Sequence, residues 1–337
     1  RYNLYDYSYT SSNSEFSKKY WESYAVEVCK KLKLNKPINI LEIGSNDGYL
    51  SHQFQKKGHN VLGVDSSNYM SKIANELGVE TYCGMVDFSL SQTLKEQYGK
   101  KDLIIANNVF NHANDPLSFA HGAKNLLSKE GIFVFEVPYW YNTIVDKKFD
   151  QIYHEHVSYF TVKSSVELLK DVGLTVFDVE VVDYHGGSIR VYSKINPIEI
   201  SPNISKLIQA EEKEGLFKVE TYNKFMEEIK IKRASFLKKL YEISEQNIPI
   251  VAVGAAAKGN TFLNFYRLDN TIIDYVTDVS EHKKGKYTPL TRIPIEDDIK
   301  VFEKYEEVYV IILSWNISSM LKSKLLEIND KIKFIDL

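Results

Sequence analysis

The run Leu41-Glu42-Ile43-Gly44-Ser45-Asn46-Asp47-Gly48-Tyr49-Leu50 decides how this chain is read. Ile38 to Ile43 is a short apolar run that predicts a buried strand, and a helical pattern follows to about Lys57. Between them the turn at 44–48 carries glycine at both ends, which lets the backbone take angles closed to other residues and lets a ligand approach. A dinucleotide turn would read G-x-G-x-x-G and aim a helix N-terminus at a pyrophosphate. Here the spacing is G-x-x-x-G, and Glu42 and Asp47 would repel a phosphate.

Working outward, short β-branched runs alternate with helical stretches. Strands are predicted at Asn60 to Asp65, Asp102 to Ala106 and Gly131 to Val137, with a helix at about Tyr69 to Leu77. Another helix opens at Asp115-Pro116, an acceptor side chain followed by proline. Thr175 to Asp183 and Ser188 to Lys194 read as an antiparallel finish. The pattern is that of an α/β, doubly wound, mainly parallel sheet covered on both faces. Asp65 then ends the second strand, where a carboxylate accepts both ribose hydroxyls of an adenosine. Asp87, after Gly84-Met85-Val86, is placed for an adenine amino group. Together with acidic residues suited to an ammonium, this favours S-adenosylmethionine over NAD. Its expected contacts are Glu42, Gly44, Asn46, Asp47, Gly48, Asp65, Asp87 and Asn107.

From Pro202 to about Gln246 glutamate and lysine dominate, and Phe217, Phe225, Ile229 and Phe236 recur at helical spacing, predicting one or two joining helices. The strand–helix alternation restarts at Ile250, with strands at Val251 to Gly254, Ile272 to Val276 and Val308 to Ser314. The expected division is 1–200, a helical connector at 201–247, and a second, smaller Rossmann-like unit at 248–337.

Composition narrows the function. The 337 residues are 44% hydrophobic and 26% charged, which is ordinary globular composition. A net charge of −3 leaves no general basic field for a nucleic-acid partner. No apolar run approaches the ~20 residues that cross a bilayer, and there is no signal-peptide core, so no membrane association and a cytoplasmic location are expected. Cys29 and Cys83 provide neither a disulfide framework nor a cysteine-rich zinc site.

Three polar clusters carry the chemistry. Asn107-Asn108-Val109-Phe110-Asn111-His112 follows the third predicted strand at its carboxyl end, where open α/β sheets bind ligands. Tyr153-His154-Glu155-His156-Val157-Ser158-Tyr159-Phe160 is the densest. Two histidines with one carboxylate supply part of a metal sphere but lack H-E-x-x-H spacing, so acid–base work is the better reading. His185-Gly186-Gly187-Ser188-Ile189-Arg190 links the two antiparallel strands. Further on, Gly254-Ala255-Ala256-Ala257-Lys258-Gly259 puts a lysine at a helix start, apt for a diphosphate or for close helix–strand packing alone. The alternating Tyr2, Tyr5, Tyr7 and Tyr9 read as an aromatic strand or stacking surface.

These segments, in this order, resemble the S-adenosylmethionine-dependent C-methyltransferases of nucleotide-deoxysugar biosynthesis, over nearly the whole chain. The anchors are Glu42 to Gly48, Tyr153 to Phe160, His185 to Arg190, and Gly254 to Gly259, with Asp278, Lys284 to Tyr287 and Trp315-Asn316 alongside. The resemblance implies a methyltransferase domain followed by a Rossmann-like domain that helps hold a nucleotide sugar. It implies methylation at C3 of a 4-keto-deoxysugar on a nucleoside diphosphate, usually dTDP; the activated methyl needs no metal for its transfer, and a monomer is expected. The working positions it implies are Tyr7, Asn108, His112, Tyr153, Glu155 and His156. His156 would be the base, supported by Glu155, with Tyr153 and His112 as donors to the C4 oxygen. The acceptor would be held by His185, Gly186, Ser188, Arg190, Lys258 and Gly259. Methylation of oxygen or nitrogen, a nucleotide-sugar oxidoreductase and a non-catalytic binding module are the alternatives. Two departures stand out. The family opens on a zinc-binding module of paired cysteines, implying a piece upstream of Arg1, and Leu290 stands where its pattern has glycine.

Overall fold

The computed structural model describes residues 10–197 and 199–336. Two compact units form. The first takes the chain up to Trp140, then Val157–Asp183 and Gly187–Lys213. The second takes Tyr141–His156, Tyr184–Gly186 and the described chain from Glu214 onward.

In the first unit, β1 (Asn39–Ile43), β2 (Asn60–Asp65), β3 (Thr81–Cys83), β4 (Lys101–Asn107), β5 (Leu127–Pro138), β6 (Thr175–Val182) and β7 (Ser188–Lys194) make one seven-stranded sheet. Its order is β3-β2-β1-β4-β5-β7-β6. Strands β1 to β5 run parallel, and β7 is antiparallel to both β5 and β6. The parallel strands are near-continuous apolar runs, as burial on both faces requires, with Ile40, Leu41, Leu103, Ile104 and Ile105 all buried. The helix Pro116–Leu126 starts where its sequence signals, with Asp115 accepting the Ser118 N–H at 2.9 Å. The helix Glu15–Lys31, capped by Ser14, buries Trp21, Tyr24 and Val28. Strand β3 is too short for periodicity to reveal.

The second unit is a five-stranded parallel sheet of β8 (Ile250–Val253), β9 (Tyr275–Thr277), β10 (Ile295–Glu296), β11 (Val308–Ile312) and β12 (Ile332–Ile335), in the order β10-β9-β8-β11-β12. The two-residue period of β8 divides its core. Ile250 and Ala252 pack with Phe236 and Leu240 of the helix Val219–Ser244 and with Phe262 and Leu263, while Val251 and Val253 pack with Phe302, Val310 and Leu325. Residues 141–156 join this unit through Phe149, whose ring lies 4.6 Å from Phe265 and 5.9 Å from Tyr266. The helix Pro202–Glu214 is tied to the first unit instead. Its buried Glu211 accepts from the Tyr139 hydroxyl at 2.8 Å and the Val162 N–H at 2.5 Å.

Candidate active site

In the first unit the turn after β1 is held open by glycine. Gly44 has φ +71°, and a Cβ there would stand 2.7 Å from Val109 Cγ2. Its N–H and that of Ser45 both reach the Val64 carbonyl, at 2.7 and 3.1 Å. Asp65, at the end of β2, accepts the Asn46 N–H on Oδ2 and the Ser67 N–H on Oδ1, both at 2.8 Å. These fix its plane, and burial raises its pKa. Glu42 is buried and accepts the Ser51 hydroxyl at 2.5 Å. Burial pushes it up to about 8 against the pull of that hydrogen bond. Gly48 (φ +76°) begins the helix Tyr49–Lys56, close to Ala74.

Two acidic residues expected as ligand contacts also bond to the chain itself. Asp47 has both oxygens engaged by the chain: Ser11 Oγ at 2.6 Å, Ser12 Oγ at 2.7 Å and the Ser12 N–H at 3.0 Å. A carboxylate so occupied is poorly placed to receive an ammonium. Asp87 caps the helix Phe88–Tyr98, accepting the Leu90 N–H at 2.7 Å. It also lines an open cleft of about 350 Å³ with Tyr82, Cys83 and Met85.

At the carboxyl end of β4, Asn107 Oδ1 accepts the hydroxyl of buried Tyr24 at 3.1 Å, while its buried Nδ2 has no partner among the described residues. Asn108 is left-handed (φ +52°), its N–H on the Glu136 carbonyl at 2.7 Å. Asn111 is buried with both side-chain polar atoms unpartnered among the described residues, and its carbonyl accepts from Val157 and Ser158. His112 ends the short helical turn Phe110–His112.

The second unit gathers the other cluster. A carbonyl can only accept, so His156 Nδ1 carries the proton it donates to the Gln151 carbonyl at 3.0 Å. Nε2 therefore keeps its lone pair and takes the Tyr153 hydroxyl at 2.8 Å. Burial pulls His156 down to about 4 and His185 to about 3, with the Lys258 charge adding in both. Both imidazoles are neutral near pH 7. The partner expected for His156 was Glu155, but the backbone of Gln151 orients the ring, and that residue's side chain donates to the His185 carbonyl at 2.9 Å. The Lys258 ammonium, drawn down to about 8 by burial, lies 4.4 Å from the Trp315 ring centre and donates to Asn316 Oδ1. Buried Asp150 accepts the Trp315 indole N–H at 2.6 Å.

Three residues expected to hold the acceptor are buried or packed within the chain itself. Arg190 is 1% exposed: Nε meets Glu136 at 2.9 Å, Nη1 meets Glu27 at 3.0 Å, and the guanidinium covers Tyr24. Ser188 is buried at the start of β7. Gly259 is needed for packing, since a Cβ would sit 2.9 Å from the Gly254 carbonyl oxygen. His185 and Gly186 alone from that run belong to the second unit. Tyr7 and the tyrosine stripe lie outside the described residues. Asp150 and Gln151 carried no sequence signal, because the partners of their side chains, Trp315 and the His185 carbonyl, are distant in the chain.

Comparison with known proteins matches the chain in two consecutive stretches. A family model described as a methyltransferase domain matches residues 19–179, and one described as a C-methyltransferase C-terminal domain matches 183–335. The C-methyltransferase NovU of Streptomyces niveus is 29% identical over 294 residues, 86% of this chain and 70% of that protein. This chain is an S-adenosylmethionine-dependent methyltransferase. Among solved structures, an S-adenosylmethionine-dependent methyltransferase of Clostridium acetobutylicum is similar at TM-score 0.43 and 17% identity, over 55% of this chain and 94% of that one. The magnesium protoporphyrin IX methyltransferase of Synechocystis with S-adenosylhomocysteine is similar at 0.42 and 15%, over 52% and 82%. The methyltransferase has residues that fit its cofactor. The Asp65 carboxylate is held in plane as a ribose would need, Gly44 admits no side chain, and Asn107 Nδ2 is a buried donor without a partner among the described residues. No helix among the described residues is long and apolar enough to cross a membrane.

Proposed function

We propose that the methyltransferase places a methyl group on carbon, at C3 of a 4-keto-deoxysugar carried by a nucleoside diphosphate such as dTDP. The Tyr153–His156 pair carries this reading. A carbon beside a ketone becomes nucleophilic only when its proton leaves and the oxygen that gains charge is stabilised. Those two demands fall on neighbouring carbons of the substrate, and a basic lone pair and a hydroxyl donor stand 2.8 Å apart here. His156 Nε2 takes the proton as the C–H pair moves toward the ketone oxygen. The Tyr153 O–H then turns its donation from Nε2 to that oxygen.

Bound S-adenosylmethionine would supply an electrophilic methyl on a sulfonium, and His156 would keep the proton taken from the acceptor carbon. We assign Asp65, Glu42, the 44–48 turn and Asn107 to the methyl donor, and Lys258 and His185 to the acceptor. Asn108 and His112 are assigned as donors in the same reaction, with Glu155 beside the base. The observation behind Lys258 is that its ammonium meets an amide oxygen and a ring face, both uncharged, and so retains its charge for a diphosphate. The C-methyltransferase C-terminal match and the likeness to NovU favour carbon as the methylated atom.

The test is product analysis with ¹³C-methyl-labelled cofactor and a dTDP-4-keto-6-deoxysugar. The label is expected on a carbon-bound methyl at C3. A methyl shift diagnostic of oxygen or nitrogen attachment would overturn the assignment. His156→Asn is expected to abolish transfer while leaving S-adenosylhomocysteine affinity unchanged.

A further inference from the structure

Trp315 is the centre of a contact set in the second unit that the chemistry above does not explain. Its indole N–H is held by Asp150 Oδ2 at 2.6 Å, and Asp150 is 4% exposed. Its ring carries the Lys258 ammonium at 4.4 Å and the Lys148 ammonium at 5.1 Å. The turn beside it needs glycine: a Cβ on Gly186, at φ +85°, would lie 2.2 Å from the ring. Lys148 also donates to the Gly186 carbonyl at 2.7 Å. The ring is therefore fixed in plane by one charge-assisted hydrogen bond and fixed in position by backbone.

A lysine stem has free torsions, and its ammonium is a point charge without built-in direction. Here the indole face and Asn316 provide the direction. No ion pair joins Asp150 to Lys258 among the described residues. A direct pair would neutralise the ammonium; a contact routed through the indole places it and leaves its charge available.

We propose that Asp150 is a positioning residue for the acceptor's diphosphate, acting by fixing the Trp315 indole on which the Lys258 ammonium stands. This rests on the reading of Lys258 as the phosphate anchor. Its experiment is calorimetric titration of dTDP, and of thymidine as the phosphate-free control, into the full chain loaded with S-adenosylhomocysteine. Asp150→Ala is expected to weaken dTDP about tenfold and leave thymidine unchanged. Trp315→Phe, which keeps a ring and loses the N–H, should do the same. The double variant should lose no more than the worse single one, because both remove one contact. Asp150→Asn keeps an acceptor oxygen and should retain most of the affinity.

Additive losses, or an Asp150→Asn loss equal to that of Asp150→Ala, would overturn the proposal. So would unchanged dTDP affinity in both single variants while Lys258→Met loses it. If Lys258→Met binds dTDP as the parent chain does, the anchor reading itself falls, and this inference with it. Trp315→Phe alone carries the test if Asp150→Ala does not fold.

Discussion

Half-buried His156 and buried Glu42 are both desolvated, and that acts in opposite senses on pH. An unfolded histidine titrates near 6.5, and His156 is pulled to about 4 in the fold. The folded state thus resists its protonation: the stability linked to His156 is complete above about pH 6.5 and drains away as pH falls toward 4. His185 extends that loss further down. The rate should behave likewise. The acid limb of kcat/KM is expected near pH 4, whereas a limb near the ordinary histidine value would remove His156 as the base. Glu42 is raised to about 8, so its folded state holds a proton that the unfolded chain releases near 4.3. Its linked stability is complete at low pH and lost as pH rises through 8. Glu42→Gln, the shape of the protonated form, should therefore raise the thermal midpoint at pH 9, change it little at pH 5, and weaken S-adenosylmethionine. A midpoint unmoved at pH 9 would mean that the fold does not raise Glu42 above its unfolded value.

Between elements, β5 and β7 are joined by more than their ladder. Glu136 and Arg190 are register partners, both buried, and Tyr20 donates to the same carboxylate at 2.5 Å. Arg190→Met would strand Glu136 without its counter-charge and should cost about 3–5 kcal/mol in denaturant unfolding. Adding Glu136→Gln should return part of that loss, and a double variant as weak as the single one would argue against a paired charge. The turn before β10 gives a second case. Leu290 has φ +66° and is 85% exposed, so a side chain is strained there without packing in return. The glycine expected at this position has a backbone reason, and Leu290→Gly should raise the thermal midpoint slightly.

Elements were legible where local chemistry specified them. The Asp115-Pro116 cap and the strand Asn60–Asp65 stand where the residues place them. Arg190 was not legible, because its charge points to a ligand until Glu136, Glu27 and Tyr24 are seen around it. Gly259 looks alike in sequence whether it admits a phosphate or a neighbouring carbonyl.

On the scale of the whole chain, the linear reading places one α/β unit after another, and the fold does not respect that order. Tyr141–His156 and Tyr184–Gly186 lie within the first unit's sequence yet belong to the second. The cause is packing: Phe149 finds Phe262, Phe265 and Tyr266, and Gly186 finds Trp315, none of which spacing can announce. As a result Tyr153, His156, His185 and Lys258 share one unit, and the proposed base and the proposed phosphate anchor have a common frame.

The central claim is that this frame makes a carbon acid of the acceptor, and it can be tested apart from methyl transfer. The measurement is proton NMR in D2O of a dTDP-4-keto-6-deoxysugar with the chain and S-adenosylhomocysteine. Enzyme-dependent loss of the H3 signal, abolished in His156→Asn, is the predicted result. An H3 signal that persists while the sugar nucleotide is bound would contradict it.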